Sequence, residues 1–350
     1  MVELTRRRLV KLAAVQAVLP STSFAAPSPM MEEAFVPAGG VDQWVAIRGR
    51  DRSRPPILFL HGGPCEAESP FLPLFAPWEE RYVVAQWDQR GTGRTFGKSG
   101  TPPNMTMEQL TQDAIEVAQY VRRRLNAHKL ILVGFSWGAA LGLNVIRAKP
   151  ELFHAFVGTG QPINGRDIFE IRRASAVRRA EAAGDAQAAL QMKQFAVSDF
   201  ADMTKFQSFF KWSGAPFPNP GPDWDFIGKF FGLLGSPEKP KSAAAADFFA
   251  SNPAPDNPAA HPICLQKLLP YSFEFDARAA GYDLKVPYFV IQGRSDPIFP
   301  PDAAPAFVSQ VHAPAKNFTL IDGGHFACLS NPAGFLDALD NDLRKLGKLR

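Results

Sequence analysis

The sequence predicts an α/β fold in which helices cover both faces of a mostly parallel sheet. Short, continuously apolar runs recur along the 350 residues, and segments with helical spacing separate them. A strand with both faces buried is apolar at consecutive positions, whereas a half-exposed strand alternates between apolar and polar residues. With 46% hydrophobic and 21% charged residues, the composition is typical of a folded domain and excludes a disordered chain.

The predicted elements alternate along the chain, as parallel strands joined by helices require. The predicted strands are residues 41–47, 57–60, 82–85, 130–133, 155–157, 288–291 and 318–321. The predicted helices are residues 106–126, 136–147 and 333–347.

Residues 161–275 interrupt this alternation. They contain an Ala/Arg-rich helical stretch at 170–195 and two proline-rich segments, at 214–222 and 252–262. We therefore predict a mainly helical insertion within the sheet-forming core. The core then consists of residues 26–160 and 276–350. The phenylalanines of the insertion are expected to serve mainly as internal packing: Phe206, Phe209, Phe210, Phe230 and Phe231.

The first 25 residues have the features of an export signal. Arg6 and Arg7 begin a basic segment, a modest apolar stretch follows at 12–19, and small residues end it at 25–26. This order resembles a bacterial twin-arginine signal, and the apolar stretch is too short to span a membrane. We expect residues 1–25 to be removed and the mature chain to be periplasmic or secreted, without stable membrane anchoring.

Charge and cysteine content exclude several kinds of partner and site. The formal net charge is +4, and the first 25 residues hold +3 of it, from four basic residues and one acidic residue. The remaining +1 gives no electrostatic basis for a nucleic-acid partner or an anionic membrane. The cysteines, Cys65, Cys264 and Cys328, are too few for a disulfide framework or a zinc site. We expect three free thiols, with one disulfide as the alternative, and no metal or other cofactor.

The segment 134–138, Gly-Phe-Ser-Trp-Gly, carries the first candidate catalytic residue. It lies between a predicted buried strand and a predicted helix. A G-x-S-x-G sequence in that setting forms a sharp turn that lifts the serine hydroxyl above the sheet. We therefore predict that Ser136 is a nucleophile, which needs a base to take its proton.

His325 and Asp296 are the predicted base and its orienting acid. His325 follows the last predicted strand and Asp296 follows the strand before it. Both then lie at the carboxyl edge of a parallel sheet, where ligands bind. The chain order of serine, acid and histidine is the order expected with this kind of turn. Asp302 and Asp322 are the alternatives for the acid.

Two further segments predict an oxyanion site made of backbone amides. The amide of Trp137, directly after the nucleophile, is one expected donor, and Gly63 in His61-Gly62-Gly63-Pro64 is the other. Glycine lets the backbone approach a substrate closely. We interpret His61 as a residue that shapes this loop rather than as a second base.

Together these segments resemble the α/β-hydrolase superfamily and, within it, the proline iminopeptidase-like branch, peptidase family S33. The matching motifs are HGGP at 61–64, WDQRGTGR at 87–94, GFSWG at 134–138, VGTGQ at 157–161, GRSD at 293–296 and GHF at 324–326. The resemblance covers nearly all of residues 40–345 and implies the α/β-hydrolase fold, with the insertion as its cap domain. It also implies a serine hydrolase that acts through an acyl-enzyme, with Ser136 as nucleophile, Asp296 as orienting acid and His325 as general base.

The resemblance implies that the substrate is either a small molecule or a short peptide. Proline-releasing members hold the free ammonium of the substrate with cap carboxylates, one in a Trp-Glu context, where this chain has Trp212-Ser213. Asp167 and Glu170 are the first candidates for that role here, and Asp223 and Asp225 are others. We expect the release of N-terminal proline, or a similar small residue, from short peptides.

Two other functions stay open at this point. A carboxylesterase, or a lactone or amide hydrolase of small apolar substrates, would use the same three catalytic residues. A non-catalytic binding protein is a remoter alternative, because all three catalytic positions are filled. Epoxide hydrolases and dehalogenases are disfavoured, since they generally need an aspartate where Ser136 stands.

Overall fold

The computed structural model describes residues 29–213, 221–251 and 262–347. The predicted export signal and most of both proline-rich segments lie outside these ranges. None of the described helices is long and apolar enough to cross a lipid bilayer.

The described residues form ten strands, most of them in one sheet. The strands are β1 Met30–Ala38, β2 Val41–Gly49, β3 Pro56–Leu60, β4 Val83–Trp87, β5 Leu130–Phe135, β6 Phe153–Thr159, β7 Gly235–Ser236, β8 Lys239–Pro240, β9 Tyr288–Gly293 and β10 Lys316–Ile321. The large sheet has the order β1-β2-β4-β3-β5-β6-β9-β10, and β7 and β8 form a separate hairpin. Pairs β1–β2 and β2–β4 are antiparallel, and every other pair in the large sheet is parallel. Six strands therefore end at one carboxyl edge.

Helices connect these strands and cover the sheet. In the described ranges the α-helices are α1 Ala76–Glu79, α2 Gly93–Ser99, α3 Met107–Leu125, α4 Trp137–Ala148, α5 Gly165–Ala182, α6 Ala186–Gln194, α7 Met203–Ser213, α8 Trp224–Gly232, α9 Ala243–Ser251, α10 Pro262–Glu274, α11 Ala303–Gln310, α12 Ala327–Ser330 and α13 Pro332–Arg344.

Strand β5 shows why the central strands are continuously apolar. Leu130 and Leu132 pack into a core with α3, α4 and α11, whereas Ile131 and Val133 pack into a second core. In that second core, α1 and α13 stack aromatic rings whose centroids are 4.9 Å apart. Two covered faces remove the central strands from water, and each Å² of buried apolar surface contributes about 25 cal/mol. The two hydrophobic layers hold the carboxyl edge in place.

The predicted α/β architecture is confirmed, and the structure adds elements that the sequence patterns do not predict. Every predicted strand and helix of the core is present. Strand β1 is an added antiparallel edge strand with an irregular burial pattern. Helix α11 is also added, and it follows Pro300 and Pro301, which are residues typical of a loop. Neither β1 nor α11 contains one of the continuous apolar runs from which the strands were predicted.

Between β6 and β9 the chain forms helices α5 to α10 and the small hairpin, here called the cap. The helical stretch predicted at 170–195 is interrupted, because the chain turns at Gly184, where φ is 73°. The side chain of Asp185 then caps the start of α6 by accepting from the amide of Ala188. The region is therefore two helices that pack against each other rather than one.

The phenylalanines of the cap mainly build a core of its own. This aromatic core contains Phe169, Phe195, Phe200, Phe206, Phe209 and Phe273. Phe210 packs against it, so internal packing is confirmed for three of the predicted residues. Phe230 instead stacks on Phe71 of the main domain, and Phe231 is 46% exposed. The cap thus has a hydrophobic core of its own and an apolar contact with the main domain.

A disulfide joins the cap to the main domain. Cys65, in the loop after β3, is bonded to Cys264 in α10, with the two Cα atoms 5.9 Å apart. The expectation of three free thiols is therefore wrong, because the fold brings together two cysteines that are 199 residues apart in sequence. Cys328 is free and buried.

Candidate active site

Ser136 lies on a sharp turn between β5 and α4. Its backbone φ is 55°, a left-handed value that is costly for a residue with a β-carbon. A Cβ at Gly134 would lie 2.4 Å from the carbonyl oxygen of Gly138, and one at Gly138 would lie 2.1 Å from that of Leu60. Both glycines are therefore required for helix and strand to approach closely enough to hold this turn.

Asp296 and His325 meet at the same edge of the sheet. Nδ1 of His325 lies 2.9 Å from Oδ2 of Asp296, and both side chains are almost fully buried. The other oxygen of Asp296 accepts hydrogen bonds from the amides of Ile298 and Phe299, at 2.8 and 3.0 Å. The carboxylate is thus fixed on both sides, and its contact orients the imidazole.

The two alternative acids lie elsewhere. The side chain of Asp322 is 94% exposed and its nearest ion-pair partner is Arg294. Asp302 stands at the start of α11 and is bonded to no histidine in the described part of the chain. The structure therefore brings His325 together with Asp296.

A buried acid of the cap holds the loop that carries His325. Asp223 accepts hydrogen bonds from the amides of Gly324, at 3.1 Å, and Phe326, at 2.8 Å. It also accepts from the hydroxyl of Ser330, at 2.7 Å. The two amides flank His325 on either side, so the cap fixes the backbone from which the imidazole projects. The sequence suggests Asp223 only as a possible ammonium ligand, and no local pattern indicates this contact.

The loop after β3 lies against Ser136. A Cβ built on Gly62 would be 3.5 Å from Cβ of Ser136. Gly63 has φ of 125°, and it lines the same cleft as Ser136. Trp137 begins α4 directly after the nucleophile position, and its indole nitrogen donates to Gln89. The two predicted amide donors therefore belong to segments that meet at Ser136.

His61 fixes this loop from beneath. Its Nε2 accepts a hydrogen bond from the amide of Gln89, and its Nδ1 lies 2.7 Å from the carbonyl oxygen of Gly62. Burial lowers the pKa of His61 from 6.5 to about 4, so the ring is neutral near neutral pH. A neutral ring with both nitrogens engaged is suited to shaping the loop.

Above Ser136 lies a cleft of about 120 Å³ between the main domain and the cap. Its walls are mostly apolar. Of the described residues that line it, Glu66 is the only carboxylic acid and Arg172 the only guanidinium. Burial raises the pKa of Glu66, and the nearby His325 opposes this effect. Apolar walls with a few polar groups are typical of a small-molecule site.

Sequence comparison with protein families agrees with this geometry. A family model described as the alpha/beta hydrolase fold matches residues 55–332. The chain belongs to the α/β-hydrolase fold family.

Two curated proteins illustrate the relatives of this hydrolase. The "Probable aminopeptidase YbaC" of Bacillus subtilis (strain 168) is 35% identical over 130 residues, which are 37% of this chain and 41% of that protein. The proline iminopeptidase of Neisseria gonorrhoeae is 34% identical over 106 residues, which are 30% of this chain and 32% of that protein. The chain thus matches less than half the length of either relative.

Solved structures extend the likeness over nearly the whole chain. A proline iminopeptidase-related protein from Thermus thermophilus has a TM-score of 0.55 at 19% identity, covering 91% of this chain and 98% of the other. A 2-hydroxy-6-oxo-6-phenylhexa-2,4-dienoate hydrolase from Rhodococcus has a TM-score of 0.56, also at 19% identity, covering 91% and 100%. At such identities the likeness shows the shared fold.

The predicted ammonium ligands of this hydrolase lie outside the cleft. Asp167 is exposed in the first turn of α5, where a negative charge suits the positive end of the helix dipole. Glu170 is paired with Arg173 at 2.5 Å and with Arg166 at 3.4 Å. Neither carboxylate lines the cleft. Both residues lie on α5, and no sequence pattern indicates Glu66, the acid that does line the cleft.

Proposed function

We propose that this protein is a serine hydrolase that acts through an acyl-enzyme, with Ser136 as nucleophile, His325 as general base and Asp296 as orienting acid. The observation that carries the proposal is the 2.9 Å contact between His325 and Asp296 beside the strained turn of Ser136. A serine, a histidine and a carboxylate in this relation are recognised by their geometry and roles.

In the proposed reaction, Oγ of Ser136 attacks the scissile carbonyl carbon while Nε2 of His325 takes the hydroxyl proton. The amides of Gly63 and Trp137 stabilise the oxygen that becomes negative, each contributing about 3 kcal/mol in comparable enzymes. Collapse of the intermediate breaks the C–N or C–O bond, and His325 returns the proton to the leaving group. Water then hydrolyses the acyl ester by the same steps.

For the substrate we propose a short peptide or a related amide with a free N-terminal proline or similar small residue. One of the two curated relatives is named a probable aminopeptidase and the other a proline iminopeptidase. A buried ammonium needs an opposing carboxylate, because an unpaired buried charge costs several kcal/mol. Glu66 supplies that carboxylate in the cleft, beside the predicted oxyanion loop.

Free and N-acetylated proline arylamides distinguish an aminopeptidase from other hydrolases. We expect the free amine to be cleaved at least about 100-fold faster in kcat/KM, because acetylation leaves Glu66 without its partner. Comparable turnover of the two forms would exclude the aminopeptidase assignment while leaving the three catalytic residues in place.

The variant Glu66→Gln tests which acid binds the amine. It should raise KM for the free arylamide at least tenfold, and it should leave the acetylated substrate nearly unchanged. Glu170→Gln, on the outer face of α5, is the matched control. Since burial raises the pKa of Glu66 above its ordinary 4.5, acidification should weaken binding of the free amine at a higher pH than an exposed glutamate would cause. Equal effects of both variants would contradict this role.

A carboxylesterase is the second candidate, favoured by the mostly apolar walls of the cleft. The rate at which the protein hydrolyses short-chain aryl esters measures esterase activity directly. An esterase should cleave such esters much faster than either arylamide and should be indifferent to Glu66→Gln.

Covalent labelling tests the nucleophile independently of the substrate. A fluorophosphonate should label the wild type, and Ser136→Ala should lose both the label and turnover, by roughly a million-fold in kcat. Labelling of Ser136→Ala at the wild-type rate would assign the nucleophile to another residue.

We also propose that the protein is exported in a twin-arginine-dependent manner. The disulfide between Cys65 and Cys264 supports this proposal, because disulfides persist mainly in oxidising compartments. Replacing Arg6, Arg7 and Arg8 together by lysine keeps the charge and removes every arginine pair of the first 25 residues. An unchanged periplasmic fraction after this replacement would refute the proposal.

A further inference from the structure

Arg172 is a charged residue of the cap that borders the cleft of the proposed catalytic residues. It lies on α5 and lines the same cleft as Ser136 and His325. Ile168, four residues earlier, lines the cleft as well, as expected for two residues on one helix face. Arg172 therefore borders the cleft in which a substrate attacked by Ser136 would lie.

Among the described residues, no carboxylate forms an ion pair with Arg172. Its Nη2 atom is buried and has no hydrogen-bond partner among the described residues. Burial is the cause that lowers the pKa of this guanidinium, to about 10, so the side chain still carries its charge at neutral pH. A cationic group with a buried nitrogen and no counter-ion among the described residues is costly, and one that persists needs an explanation.

Two neighbouring arginines of α5, unlike Arg172, have ion-pair partners on the same helix. Arg166 and Arg173 both pair with Glu170, and Arg173 also donates to the backbone carbonyl of Lys193. Arg172, by contrast, has its guanidinium carbon 5.4 Å from the centroid of the Phe210 ring. Such a contact orients the group without neutralising it.

We propose that Arg172 binds a carboxylate of the substrate, so that the cleft selects small molecules with a free carboxylate near the scissile bond. A guanidinium presents parallel N–H donors that match the two oxygens of a carboxylate. This inference rests on the proposed function and adds the substrate class. With Glu66 on the ammonium and Arg172 on the carboxylate, the substrate is a zwitterionic peptide of dipeptide size rather than a long chain.

The size and charge of the cleft agree with such a substrate. The cleft beside Ser136 has a volume of about 120 Å³, and both Glu66 and Arg172 line it. A carboxylate held by Arg172 therefore belongs to the residue next to the scissile bond. Amidation of that carboxylate removes the charge and leaves the arginine buried without its partner.

Binding to the inactive Ser136→Ala protein tests this without any dependence on turnover. The probes are the dipeptide Pro-Ala and its C-terminal amide, titrated by calorimetry. We expect the free acid to bind at least tenfold more tightly than the amide. In Ser136→Ala/Arg172→Met, which keeps an apolar stem of similar length, this preference should disappear, and Arg172→Lys should restore part of it.

Arg173→Met is the matched control, since it removes the neighbouring charge on the outer face of α5 and should leave the preference unchanged. Equal binding of acid and amide to Ser136→Ala, or equal losses for both probes with Arg172→Met, would overturn the inference. Failure of the proposed function is recognised separately, by wild-type protein that cleaves neither the dipeptide Pro-Ala nor proline arylamide.

Discussion

The carboxyl edge of the sheet and the underside of the cap face the same cleft but treat their polar groups differently. At the sheet edge, Asp296 has three hydrogen-bond partners, and His61 has both ring nitrogens engaged. On the cap side, Arg172 has a buried nitrogen without a partner in the described chain. The edge is thus organised before any substrate binds, whereas the cap presents a group that a ligand can satisfy.

We infer from this difference that the sheet edge carries out the proposed reaction and that the cap selects the substrate. Donors and bases that are fixed in advance need no reorganisation during the reaction, which is where catalytic stabilisation is gained. Selectivity instead comes from groups left unpaired when the wrong ligand binds. The two regions are linked by Asp223, which reaches from the cap to the loop of His325, and by the bond between Cys65 and Cys264. Variants at the edge, at these links and beneath the edge should therefore differ in whether they change kcat, Tm or the pH dependence of stability.

Asp296→Asn should have the largest effect. The amide keeps the shape but no longer holds the imidazole in the required tautomer, so kcat should fall roughly a thousand- to ten-thousand-fold. Asp322→Asn, a neighbouring acid that is almost fully exposed, should be nearly silent. Steady-state kinetics on any cleaved ester or arylamide measures both variants. A near-normal Asp296→Asn enzyme would mean that the edge is not organised as described.

Removing the disulfide should reduce stability more than activity. The bond closes a loop of 199 residues, and losing such a cross-link costs about 2–5 kcal/mol of unfolding free energy. Cys65→Ser/Cys264→Ser and reduced wild type should show the same fall in Tm. Cys328→Ala, at the free buried cysteine, serves as control. If reductant leaves the wild-type Tm unchanged, the link does not contribute to holding the cap.

His61 should make stability fall on acidification. Its folded pKa is about 4 against 6.5 for the ordinary side chain, so the unfolded chain binds the extra proton between these values. Its stabilisation is therefore complete above about pH 6.5 and declines by up to about 3 kcal/mol as pH approaches 4. Urea unfolding of His61→Asn should show a shallower pH slope than wild type, and His312→Asn, at an exposed histidine, should retain the full slope. Identical slopes for His61→Asn and wild type would argue against this assignment.

Asp223→Asn should have the smallest effect, because the amide oxygen still accepts one of the backbone hydrogen bonds. We expect a roughly 10- to 100-fold loss of kcat from misplacement of His325, with KM nearly constant. Asp225→Asn, an exposed acid two residues later, is the matched control. A change in KM alone would mean that Asp223 contacts the substrate rather than positioning the base.

Local sequence determined the layers of the fold and the three proposed catalytic residues. Continuous apolar runs specify strands buried on both faces, and parallel pairing then brings their carboxyl ends to one edge. Ser136, Asp296 and His325 each follow such a strand, so all three lie at that edge. His61 and Gly63 were likewise predictable from the loop after β3.

Only the tertiary structure decided which cap residues face the cleft and how the cap is attached. Neighbouring positions on a helix differ by about 100° in direction, so Ile168 and Arg172 line the cleft while Asp167 and Glu170 do not. The helical pattern of α5 is too weakly amphipathic to reveal that rotation. The contact of Asp223 with Gly324 spans 101 residues, and the disulfide spans 199. Contacts at such separations depend on how two domains pack, and no local pattern of residue types encodes that packing.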